Sequence, residues 1–161
     1  MKLHRVATVG TLVLGVAAAG YATGTGSVGY PEGYRAWQHV KSMVILPGHA
    51  LENPFLGIHH VYANDMGIRG LRDGRFQDGA VLVFDLLEYS EAGSSLQEGP
   101  RKLVGVMERD AKRFADTGGW GFEGFAGDSH TRRLTQDGGK SCYDCHASRQ
   151  ATAYVFSILR D

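Results

Sequence analysis

Near the end of the chain stands Cys142-Tyr143-Asp144-Cys145-His146, a C-x-x-C-H run. Residues three apart on a helical turn share nearly the same face, so both thiols can point one way with an imidazole beside them. That pattern is the c-type haem attachment signature: two thioether bonds to one edge of a porphyrin, and a neutral imidazole nitrogen under the iron. The expected roles are covalent attachment at Cys142 and Cys145 and proximal ligation at His146. Three other readings compete. A redox disulfide uses C-x-x-C, but usually after a strand in a βαβ unit, and no such alternation is visible. Half of a zinc site would need further ligands from scattered histidines, because the chain has only 2 Cys. The run could also be a chance match.

The sixth coordination position decides what such a centre does. A second strong ligand makes an electron carrier, whereas an open or water-bound position takes small molecules. His39, His49, His59, His60, His130, Met43, Met66 and Met107 are the possible ligands. None has obvious axial spacing. His59 and His60 are adjacent on an expected strand and face opposite sides, so only one of them can point at a haem. Met107 alternates with Leu103 and reads as core.

These residues need elements to position them. Pro31 suits a first helical turn, and Tyr34, Trp37, Val40 and Lys41 follow at helical spacing, which predicts a helix over 31–42. Residues 47–54 read as a loop. Strands are expected over 57–63, 80–87, 103–108 and 118–125, with one helical turn around 66–71. Residues 141–149 read as a short helix carrying the cysteines, and 153–159 as a closing strand. Short glycine-bearing connections without regular βαβ order predict an α+β domain with a mainly antiparallel sheet.

The 161 residues suit one domain. A basic start with Lys2 and Arg5, an apolar or small run over 6–20 and the small residues Ala17-Ala18-Ala19 form the layout of a secretory signal. The apolar run is short of the roughly 20 residues of a spanning helix, which disfavours the rival reading of a membrane anchor. The expected organisation is a signal peptide over 1–22, a flexible leader over 23–29 and a haem domain over 30–161. The chain would then be periplasmic, without stable membrane insertion. Basic and acidic residues number 17 each, and loss of Lys2 and Arg5 leaves a slight acidic excess. No basic stripe exists to follow a phosphate backbone, so nucleic acid is not an expected partner.

A series of landmarks runs through 30–156. They are Tyr30-Pro31-Glu32-Gly33-Tyr34-Arg35 with Trp37, then His60-Val61-Tyr62-Ala63-Asn64, then Gly74-Arg75-Phe76-Gln77-Asp78-Gly79-Ala80. Arg113-Phe114-Ala115, Gly119-Trp120-Gly121-Phe122, the C-x-x-C-H run and Tyr154-Val155-Phe156 complete it. In this order they resemble the cytochrome P-460 family, which includes the cytochromes c′-beta. The resemblance implies an antiparallel sheet flanked by helices, a homodimer, and one five-coordinate haem c near the C-terminus, packed against the sheet. Members called cytochrome P-460 oxidise hydroxylamine and cross-link their haem to a lysine, which the resemblance leads one to expect just before the G-x-F-x-D-G landmark. Cytochromes c′-beta lack that link and bind nitric oxide or carbon monoxide beneath a phenylalanine cap. Here Leu71 or Arg72 takes the expected lysine's place in Gly70-Leu71-Arg72-Asp73. A guanidinium is always charged and poorly nucleophilic.

The distal wall is expected from 120–125. Alternation sets Trp120 and Phe122 on one face and Glu123 and Phe125 on the other. Phe125 is then either an apolar cap over the iron or ordinary core. Glu123 is either a proton acceptor at the pocket edge or a solvated carboxylate. Three functions follow: a haem protein binding a gaseous or nitrogen-oxide ligand, an oxidoreductase acting on hydroxylamine or another small nitrogen compound, and an electron carrier serving a redox partner. The arginine at position 72 and the aromatic-rich strand favour the first.

Overall fold

A computed structural model describes residues 27–160. The expected signal and residues 23–26 of the expected leader lie outside them. The leader's described end is packed. Val28 is buried, its carbonyl accepts from Arg133 Nη1 at 2.8 Å, and the Ser27 carbonyl accepts from Arg113 Nη2 at 3.3 Å.

Five strands form one antiparallel meander in chain order: β1 (Gln38–Ile45), β2 (Gly57–Ala63), β3 (Val81–Ala92), β4 (Ser95–Arg109) and β5 (Trp120–Ala126). A short helical turn, α1 (Glu52–Phe55), links β1 to β2, and α2 (Asp65–Asp73) links β2 to β3. The cysteines sit on α3 (Lys140–His146), which runs into a 3-10 stretch, Ala147–Thr152. This is the α+β, mainly antiparallel architecture expected.

Side-chain alternation gives the sheet two apolar faces. One carries Val61, Leu82, Met107, Trp120 and Phe122, covered by α2, α3 and the C-terminal segment. The other carries Val83, Val104, Val106 and Phe125 and is covered by the N-terminal segment through Val28 and Tyr34. Met107 is therefore core, as its spacing suggested. Asn64 ties α2 to this frame. Its Oδ1 accepts from Gly67 N at 2.8 Å, capping the helix, and from Val81 N at 3.0 Å, while its Nδ2 donates to the Gly79 carbonyl.

Two expected elements are different. The helix over 31–42 is only a 3-10 turn, Tyr34–Ala36, after which the chain becomes β1. Val40, Val44 and Ile45 are β-branched, and a whole strand, β2, lies alongside to pair with them. The strand over 153–159 is an extended tail that pairs with nothing in the described sheet. The outer edge of β5 is already occupied: Ala126 N donates to the Arg132 carbonyl and Leu134 N to the Gly124 carbonyl. The tail therefore packs by side chains, with Val155 buried in the first face's core.

Candidate functional site

The C-x-x-C-H run is set against β5. Gly139 precedes α3 with φ +86°, and a Cβ there would stand 2.4 Å from the Phe122 carbonyl oxygen, so the chain passes β5 at a distance only glycine permits. Asp137 accepts from Gly139 N at 3.0 Å and Ser141 N at 2.8 Å, satisfying N–H groups at the helix start. Cys142 is half-buried against the core, Cys145 is exposed, and both are free thiols rather than a disulfide. Burial pushes the Cys142 thiol up.

His146 follows with its ring fixed on both sides. Phe122 lies 4.9 Å away and Phe156 5.0 Å away, centre to centre. Its Nδ1 donates to the Tyr154 carbonyl at 2.7 Å. Ala153 and Tyr154 both have left-handed backbone, φ 53° and 67°, and this turn brings the tail back so that the carbonyl meets the ring. Burial lowers the His146 pKa, offset in part by the bond to Tyr154. The ring is thus neutral, with hydrogen on Nδ1 and the lone pair on Nε2, the state a metal-ligating histidine requires.

Beyond Phe122, which packs on His146, the sheet face is lined by glycine. Gly105 and Gly124 pair across β4 and β5 on the side shared by Phe122 and Met107. Phe84 flanks them on β3, and Leu134, exposed, lies over Gly124. Phe55 meets Phe84 edge to face, ring centres 5.6 Å apart. A flat apolar wall beside a tautomer-fixed imidazole and two same-face thiols fits a porphyrin. Cys142, Cys145 and His146 are the residues that would hold it. Among the described residues no group of three or more His, Cys, Asp or Glu side chains is arranged to hold a metal ion.

Of the expected sixth ligands, His59 is on this face. It is buried, its ring tilted 35° against Phe84 with centres 4.5 Å apart, and its Nδ1 has no hydrogen-bond partner among the described residues. Burial, with Lys41 and His60 adding to it, pushes its pKa down to about 4. His60 points to the other face, as alternation required.

The other proposed site residues lie elsewhere. Phe125 is fully buried on the face away from His146, against Tyr30 and beneath Arg133, so the core alternative describes it and the cap does not. Glu123 is neither solvated nor free to act as a base. Its Oε1 accepts from Gly124 N, Thr135 N and Thr135 Oγ1, and its Oε2 from Arg133 Nη1 at 2.7 Å. Burial alone would raise its pKa, but these bonds outweigh it and hold the carboxyl below its usual range. It clasps 133–135 onto β5. Arg72 is exposed in the last turn of α2.

Phe55, Phe84 and the Tyr154 carbonyl are not singled out by the sequence for these positions. Phe84 lies in a strongly apolar stretch, 80–87, in which both faces carry apolar residues, and a backbone carbonyl leaves no trace in residue type. No curated protein matches the chain. The family model for cytochrome P460 matches residues 31–157, from the N-terminal segment that covers one face to the tail that holds His146. The chain belongs to the cytochrome P460 family, and is by that membership a c-type haem protein.

Proposed function

We propose that this is an exported mono-haem cytochrome that binds a small neutral diatomic ligand, nitric oxide or carbon monoxide, at an open distal iron position. The observation that carries the reading is the wall beside His146: Phe84, Phe55 and a cross-strand glycine pair, with no charged side chain among them. Bound haem supplies a ligand-accepting iron. Cys142 and Cys145 would hold it by thioether bonds, and His146 Nε2 would be the nitrogen offered to the metal, with the Tyr154 carbonyl fixing the ring. Phe84 and Phe55 exclude water and offer no hydrogen bond, which disfavours ligands that need one. The glycine pair leaves room without adding a polar group.

The supporting experiment is optical spectroscopy of the oxidised and reduced holoprotein, with intact and peptide masses. The expected result is a five-coordinate c-type spectrum that changes on adding nitric oxide, one haem per chain, and retention of haem in acidic organic solvent. A Cys142→Ala/Cys145→Ala variant should carry no covalent haem. A lysine-bonded porphyrin peptide would instead support hydroxylamine oxidation. One observation favours a second reading: His59, packed against Phe84, presents a nitrogen without a partner among the described residues. A six-coordinate ferrous spectrum that turns five-coordinate in His59→Ala would replace gas binding with electron transfer.

A further inference from the structure

On the face opposite His146, three side chains and a carboxylate form a continuous hydrogen-bonded row. His39 Nε2 lies 2.9 Å from Ser42 Oγ, Ser42 Oγ lies 2.6 Å from His60 Nδ1, and His60 Nε2 lies 2.6 Å from Glu98 Oε1. Three strands contribute: β1 gives His39 and Ser42, β2 gives His60, and β4 gives Glu98. His39 and Ser42 are three apart and would fall on opposite faces of a regular strand. The β1–β2 register shifts between His39 and Lys41, and this bulge adds the residue that brings both to one face. Bulges commonly re-aim side chains in this way.

The row also defines protonation. An ionised carboxylate only accepts, so Glu98 takes the hydrogen on His60 Nε2 and leaves the Nδ1 lone pair facing Ser42. Ser42 donates there and accepts from His39. Two imidazole nitrogens therefore aim at one point, which the small hydroxyl occupies and can leave by rotating. Nitrogens at about 2.1 Å from a shared ion set ring centres about 5 to 6 Å apart, and here the centres are 5.9 Å apart. A carboxylate on the far nitrogen of a histidine is the usual backing of a metal ligand.

We propose that His39 and His60, with Glu98 as the backing carboxylate, form a seat for a divalent transition-metal ion of the zinc and copper class. Imidazole pairs suit these borderline ions rather than calcium or magnesium, which take oxygen ligands. His39 is exposed and exchanges its ring hydrogen with water, so both nitrogens can offer lone pairs. Water fills the remaining positions, which makes this an exchangeable surface site rather than a closed structural one. It does not depend on the haem reading.

The test uses tag-free mature holoprotein, titrated calorimetrically with zinc sulfate, with copper(II) electron paramagnetic resonance as a second probe. Wild type should bind one zinc, and copper should show nitrogen coordination, without change in the haem spectrum. His39→Ala, an exposed change that should fold, should lose that equivalent. Glu98→Gln should weaken it about 10- to 100-fold. The proposal is overturned if folded wild type binds no zinc, or if folded His39→Ala binds zinc as wild type does. Undiminished affinity in Glu98→Gln overturns the assignment of Glu98.

Discussion

Phe84 and Phe125 belong to opposite faces of one sheet, and a pair of substitutions separates a pocket residue from a core residue. Phe84→Ala opens the wall beside His146, so carbon monoxide and nitric oxide should associate faster and water should enter. Phe125→Ala should leave those rates unchanged but cost about 3 to 5 kcal/mol of stability, because a fully buried ring is removed. Flash photolysis and urea denaturation of both variants check this. Equal rate changes in the two would contradict the assignment of faces. His59 carries a pH prediction. Its folded pKa of about 4 lies below the ordinary 6.5. Between these values the unfolded chain binds more protons than the folded one, so stability rises with pH through that window. The penalty is complete below about 4 and absent above about 6.5, and amounts to about 3 kcal/mol. His59→Gln should flatten the rise, measured as urea midpoints at pH 5 and pH 7.

α2 and α3 each depend on a small feature at their start. Asn64→Ala removes the cap of α2 and leaves Val81 N without its partner, a loss of about 2 kcal/mol. The urea midpoint should fall with little change in the haem spectrum. Gly139→Ala acts differently. The left-handed backbone and the 2.4 Å approach to the Phe122 carbonyl leave no space for a methyl group, so α3 must lift from β5. Haem incorporation per chain, read from the ratio of Soret to protein absorbance, should drop. β2 was legible to the residue in sequence, because its ends are marked and its apolar run is short. The apolar pattern of β3 and β4 marks only their inner halves. Their outer halves, around the turn at Gly93 and Ser94, are exposed on both faces and so lack apolar alternation. The start of β1 has a spacing that satisfies both periods over a few residues, so residue pattern alone extends the helix into it.

At the scale of the whole molecule, the expected export and homodimer have direct readouts. Periplasmic protein should have lost residues 1–22 by intact mass, and light scattering after size exclusion should give twice the chain mass. Retention of the leader on membranes would favour the anchor instead. By itself the sequence determined the α+β class, the thiols and histidine of the C-x-x-C-H run, and the ordered landmarks of the family. Each of these is carried by residue type and local spacing. Only the tertiary structure decided which aromatic faces His146, that Glu123 is a saturated clasp, that the tail turns to hold His146 through a carbonyl, and that a bulge joins His39 to His60. Alternation sets side chains in two opposed rows, but both faces of this sheet carry an apolar cluster. Hydrophobicity therefore cannot say which row meets α3, and that choice rests on where the N-terminal segment and the C-terminal tail pack.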